Sequence, residues 1–433
     1  MLSRDEFAER FIRGLQCAGE KRPVHYDADI FCLVIGETRE APDIVIGMGE
    51  AFQDCQAVPA DRLATEIDRL ATRYYRQPLP EDYASAQAQL TVCLKHSSYL
   101  DLHADFSAAW SGSVPRSALA HVNVTGEIVC CIGFLDGPAM QFVTRERLHQ
   151  WGVSVEQAVS AGIANVGRST LELSRSGSIY TTLPSDLDAS ARFLFLSHVF
   201  DKLSLDGSPV VLVPDQHSVI ITGSNSREGL VQMAALAQIS LEESAQSVSA
   251  QPLVWDHGDW KLFEPPAAVK PAFSHLAQAF EVDRYRAQSG VLALRYRHSE
   301  DRVGMSEVRL FPTSYGYQSH TIWRSDRPAL LPKADKIALD DKATGTFQVA
   351  DWADVMRVVG DRMVAVHNPV RFRVDRFPTR EEIQAMNATV LRVRGHQERL
   401  AAPEGQTNAT PPTHLPTPRR LVTPLLVQQR MRK

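Results

Sequence analysis

The sequence predicts an α+β protein: two antiparallel-sheet domains with helices packed on their sheets, and a disordered C-terminal tail. Three observations carry this. Apolar residues fall either in short runs closed by turn dipeptides, which read as hairpins, or in helical stripes behind capping residues. Hairpin followed by helix recurs three times before residue 245, and layered α+β folds set helices on antiparallel sheets. At 433 residues the chain exceeds what one hydrophobic core usually fills.

The elements follow in order. Residues 3–18 form an amphipathic helix with Phe7, Phe11 and Leu15 on one stripe. Strand segments Val24–Ile35 and Asp43–Met48 flank a polar turn, and a helix starts near Pro59. Its apolar positions Leu63, Ile67, Leu70, Ala71 and Tyr74 lie on one face. Glu127–Phe134 and Ala139–Thr144 pair about a Leu-Asp-Gly-Pro turn. Phe142–Val153 enters a helix, and Ser154 with Gln157 forms a capping box before the next one. Residues 185–202 read as a helix capped by Ser185 or Asp186, with Ala191, Leu194, Phe195 and Val199 inward. Val210–Val213 and Val219–Thr222 are the cleanest hairpin, and Asn225 with Glu228 caps the helix carrying Leu230, Met233 and Ala237.

The small polar stretch 244–251 marks a boundary, giving domains 1–245 and 250–400. Leu253–Trp255 and Trp260–Phe263 open the second as a hairpin about Asp256-His257-Gly258-Asp259, and helix 268–288 follows. Strands are expected at Val291–Arg297, Val308–Phe311, Tyr317–Trp323, Lys336–Leu339, Phe347–Val349 and Met363–Val366, with helices at Asp351–Val359 and Thr379–Arg394. Residues 401–433 are rich in Pro and Thr and poor in apolar residues, so they read as the disordered tail.

Composition narrows the function classes. With 44% apolar and 22% charged residues the chain is an ordinary globular sequence. Residues 1–250 hold 19 Lys/Arg against 31 Asp/Glu, a net of −12, which argues against nucleic acid or anionic lipid as a partner there. The cysteines Cys17, Cys32, Cys55, Cys93, Cys130 and Cys131 match no paired zinc spacing, and free thiols in a reducing cytosol are expected. The first residues carry no apolar leader core and no run approaches a membrane span, so a cytoplasmic location and no membrane partner are expected.

Residues 142–243 resemble a bacterial family of unknown function, domain-of-unknown-function family 1444, the YtpQ-like proteins. The likeness rests on Val143-Thr144, Leu148 and Trp151-Gly152-Val153, on Ala158 with Ala164-Asn165, and on the Pro214-centred hairpin leading into helix 227–243. It extends loosely over residues 1–245 and leaves 250–400 unaccounted for. The family's turn commonly places an acidic residue after Pro-Asn-Arg, whereas this chain reads Pro214-Asp215-Gln216-His217. The resemblance implies a fold and no reaction.

Candidate chemistry is sparse. Gly47-Met48-Gly49 follows a strand, but Phe52 stands where a dinucleotide fingerprint needs glycine, and no helix is expected until Pro59. The densest polar run is His96–Asp105. If extended, it sets Asp101, His103 and Asp105 on one face, a set that could hold a divalent metal or perform acid–base work. If helical, His96 and His103 stand about 10 Å apart, too far to share an ion. Asp256–Asp259 suits a turn better than a metal. Arg295, Arg297, Arg302 and Arg309 with Tyr296, Tyr315, Tyr317 and Trp323 could form a basic aromatic face, but Glu300, Asp301 and Glu307 interrupt any phosphate track. No catalytic, cofactor or metal residue is therefore assigned. The leading expectation is a non-catalytic binding protein that meets a protein partner through its second domain or tail. The alternative is a metal-assisted or acid–base hydrolase at His96–Asp105, using Asp101, His103 and Asp105.

Overall fold

The computed structural model describes residues 2–28, 31–38, 44–56, 58–75, 79–111, 118–136, 139–167, 171–182, 189–243, 247–296, 303–313 and 316–390. Its α+β architecture sorts into three modules around one long helix. In the first, helix Arg4–Ala18 opens on a Ser3/Glu6 capping box and ends at Gly19, whose φ of +115° suits a residue without Cβ. Phe7, Phe11 and Leu15 are buried with Ile67, Leu70 and Ala71 of helix Leu63–Tyr74, as their spacing requires. Between these helices runs a three-stranded antiparallel meander, Val24–Asp27, Cys32–Ile35 and Ile44–Gly47. Val24–Ile35 is thus itself a hairpin, not one strand. Helix Gly49–Gln56 follows directly on the third strand, earlier than expected, and seats Phe52 against Phe7 and Phe31.

The second module pairs two sheets across one core. A four-stranded antiparallel sheet comprises Leu90–His96, His121–Thr125, Ile128–Asp136 and Ala139–Phe142. A six-stranded sheet runs from hairpin Leu173–Ser176/Ile179–Thr182 through Pro209–Asp215 and Ser218–Gly223 to Leu253–Asp256 and Asp259–Leu262. Val92, Leu94 and Ile132 of the first share a core with Val211, Val213 and Ile221 of the second. Helix Val155–Gly167 lies on Leu90–His96 so closely that a Cβ at Gly162 would meet the Thr91 carbonyl oxygen at 2.9 Å.

Three expectations are corrected here. Segments Ala189–His198 and Phe200–Lys202 are 3₁₀ helices, not α-helix. Ser190, Phe193 and Leu196 are all buried, and a three-residue spacing is what 3₁₀ geometry aligns. The expected caps Ser185 and Asp186 lie outside the described residues. Helix Arg227–Glu243 is capped by Ser226, whose Oγ accepts the Gly229 N–H at 3.1 Å, not by Asn225. Finally, hairpin Leu253–Leu262 does not open a new domain. Val210 and Val211 pair with Val254 and Leu253, so the six-stranded sheet continues past residue 250.

Helix Lys270–Arg295 is the common axis, about 39 Å long at helical rise. Phe273, Leu276 and Phe280 pack on helix Arg227–Glu243, Tyr285 and Gln288 reach the third module, and Leu294 meets Cys32 and Val45 of the first. The strand expected at Val291–Arg297 is instead its last turn as far as Arg295, because Val291, Leu292 and Leu294 bury on helical spacing. The third module has a five-stranded sheet ordered Val308–Thr313, Gly316–Arg324, Lys336–Asp341, Thr346–Asp351 and Thr389–Val390. A four-stranded sheet, Gly304–Met305, Ala329–Pro332, Arg371–Val374 and Val364–Val366, completes it. Each sheet contains one parallel pair. Ala329–Pro332 and Arg371–Val374 are strands the sequence reading lacks. Helix Arg380–Ala385 stops well before Arg394, ahead of Asn387 at φ +54°. Residues 391–433, with the expected tail, lie outside the described residues. No described helix is long and apolar enough to cross a membrane.

Candidate functional site

The polar run at 96–105 is helical from Ser98: strand Leu90–His96 delivers His96, and helix Ser98–Ser111 carries the rest. Helical geometry places Ser98, Asp101 and Asp105 along one stripe, with His103 roughly 160° away from both carboxylates. The trio Asp101, His103 and Asp105 therefore does not converge. Among the described residues no group of three His, Cys, Asp or Glu side chains could hold a metal ion.

The carboxylates meet the long helix and the third module. Asp105 Oδ1 accepts a hydrogen bond from the Arg295 guanidinium, and its Oδ2 lies 3.2 Å from His367 Nδ1. His367 Nε2 is 3.2 Å from the Tyr296 hydroxyl. Asp101 Oδ2 accepts from Asn368 Nδ2 at 2.8 Å. His103 faces the opposite way, 6.5 Å from the Phe142 ring, and burial pushes its imidazole down to about 4. On that side Lys95 is buried, its Nζ 5.1 Å from the Tyr99 ring centre and 3.1 Å from Gln216 Oε1.

His96 forms a second arrangement. Its Nε2 lies 2.8 Å from Glu127 Oε2 and its Nδ1 lies 2.9 Å from Ser98 Oγ. The Ser98 backbone N–H also donates to Nδ1 at 3.1 Å. A backbone amide can only donate, so Nδ1 is the acceptor and Nε2 carries the proton given to Glu127. That hydrogen bond holds the Glu127 carboxyl below the usual glutamate value against a smaller opposing effect of burial. Arg284 Nε donates to Ser98 Oγ at 3.2 Å, while its Nη1 and Nη2 bond Glu281 and Asn368.

Sequence reading found His96, Asp101 and Asp105, gave Arg295 to a basic aromatic face instead of to Asp105, and missed Glu127, Arg284, His367 and Asn368. None of these four sits in a motif, because each reaches the site through sheet or helix packing. Gly47-Met48-Gly49 has a following helix after all, yet its strand lies in an antiparallel meander and Phe52 fills the module core, so no phosphate cradle forms. His257 and Gly258 have φ of +49° and +91°, the two-residue hairpin turn expected of that tetrapeptide.

No family model, curated protein or solved structure matches the chain. The residues behind the YtpQ-like resemblance are structural in this fold. Leu148, Trp151 and Ala158 are buried, Trp151 Nε1 donates to the Pro80 carbonyl at 3.0 Å, and Asn165 donates to Gln87 and Leu90 carbonyls.

Proposed function

We propose that the chain is a cytoplasmic binding protein, related to the YtpQ-like proteins over residues 1–245, that takes a protein partner on the outer face of its five-stranded C-terminal sheet. One observation supports this most. Ile322, Ala338 and Val349 are register partners across three strands, so they form one apolar row on one face. The opposite face carries Trp323, Ile337 and Leu339 into the module core. Phe347 and the Phe311–His320 ring pair, 4.8 Å apart, share the outer face with that row, and all three are half-buried. Its charges are paired, Arg309 with Glu307 and Lys336 with Asp351, giving an apolar centre with a polar rim. Pairing of the cations also favours a protein over a phosphate backbone. The cysteines, five of them buried, suit a reducing compartment.

Photo-crosslinking residues at Val349 and Phe347, with Val231 on the exposed side of helix Arg227–Glu243 as control, test the reading in the producing cell. One protein should crosslink at the two sheet positions and not at Val231, and Ile322→Glu should abolish it. Equal products from all three positions, or none, would remove the proposal.

A further inference from the structure

We infer that Ser98 is a nucleophilic hydroxyl served by His96 and Glu127, able to take the acyl group of a small ester. Hydroxyl, imidazole and carboxylate stand in one hydrogen-bonded line at 2.9 and 2.8 Å. The tautomer is the one acyl transfer needs: Nδ1 carries the lone pair, shared by the Ser98 hydroxyl and the Ser98 backbone N–H, and Nε2–H is held by Glu127. Ser98 also opens a 14-residue helix, whose positive end favours negative charge on its oxygen. The Arg284 guanidinium on the same oxygen adds a second, independent stabilisation of a developing alkoxide.

Burial sets the substrate class. Ser98 and His96 are 6% and 4% exposed, whereas the Glu127 side chain is 49% exposed. So little exposure at the hydroxyl limits the acyl donor to a small ester, and Glu127 is the solvent-facing end of the line. As the Ser98 Oγ–C bond forms, the hydroxyl proton passes to His96 Nδ1, and the C–O bond to the leaving alcohol breaks as that alcohol takes the proton. Water then attacks the acyl carbon, gives a proton to Nδ1 and releases a carboxylic acid, and Ser98 regains its proton. This reactivity is independent of the docking face on the C-terminal sheet.

The same bonds would also serve as a plain cap for helix Ser98–Ser111, and Glu127 separates the two roles. A cap needs only Nδ1 and survives Glu127→Gln, whereas acyl transfer loses its oriented, charge-compensated imidazole. The full chain is treated with p-nitrophenyl acetate, and acetylated peptides are mapped by mass spectrometry while nitrophenolate release is followed. An acetyl group on Ser98 is expected, with acylation slowed by about 10²-fold in Glu127→Gln, the scale of general-base assistance. Ser98→Ala should carry no adduct at that position; if this buried variant misfolds, the wild-type peptide map and the half-exposed Glu127 variant still decide. Absence of an adduct on wild-type Ser98, or equal rates in wild type and Glu127→Gln, overturns the inference.

Discussion

Asp105 and His367 are 262 residues apart in sequence and 3.2 Å apart in space, and their contact joins the second module to the third. Both side chains are nearly buried, and Arg295 of the long helix completes the joint on the other carboxylate oxygen. Asp101 and Asn368 repeat the arrangement one helical turn away. Carboxylates that a sequence reader assigns to a metal are here spent on holding modules in register.

Asp105→Ala should therefore cost stability more than a surface change does. Breaking a fully desolvated pair costs about 3–5 kcal/mol, and the partial exposure of Arg295 lowers this to about 2 kcal/mol. Asp105→Asn should lose about half as much. Urea unfolding measures both, and hydrogen exchange should rise at residues 363–371. A loss under about 0.5 kcal/mol would mean that the joint behaves as an exposed ion pair.

Arg371 is fully buried, and its neutral partners fan out around the guanidinium. It bonds Gln288 Oε1, Ser289 Oγ and the carbonyls of Tyr285, Ser306 and Leu330, tying the long helix to the four-stranded sheet. Arg371→Lys keeps the charge but cannot span this fork, so it should cost roughly 3 kcal/mol or more. Thermal unfolding and soluble yield report it. A Lys variant with wild-type stability would show that charge alone suffices there.

His103 gives the chain an acid sensitivity. Burial lowers its folded-state pKa to about 4 from 6.5, so the unfolded chain binds a proton that the folded chain refuses between those values. Stability should fall as pH drops from about 6.5 towards 4, by roughly 2–3 kcal/mol at the lower end. His103→Gln removes this contribution, and its unfolding free energy should decline less over the same range. Parallel curves for the two proteins would contradict a half-buried, neutral imidazole.

Gly162 sits inside a helix, where alanine is ordinarily better by about 1 kcal/mol. Here Cβ would meet the Thr91 carbonyl oxygen and Val92 Cγ1, each at 2.9 Å. Backbone cannot yield as a flexible side-chain tip can, so Gly162→Ala should destabilise by about 1–3 kcal/mol. A rise in Tm would show that helix and strand stand further apart than this.

Local chemistry by itself determined the fold class and most elements: Phe7, Phe11 and Leu15, the Ser154–Gln157 box and the Val210–Thr222 hairpin are written in nearest-neighbour spacing. Two of the misreadings share one cause. Leu253–Leu262 is a sound hairpin whose sheet is chosen by Val210 and Val211, and Val291–Leu294 is helix because the long axis has partners on three sides. Only the tertiary structure decided that Asp105 meets His367, or that Glu127 meets His96. Such pairs are set by strand register and helix crossing, which depend on the packing of whole faces and leave no periodic mark beside either residue.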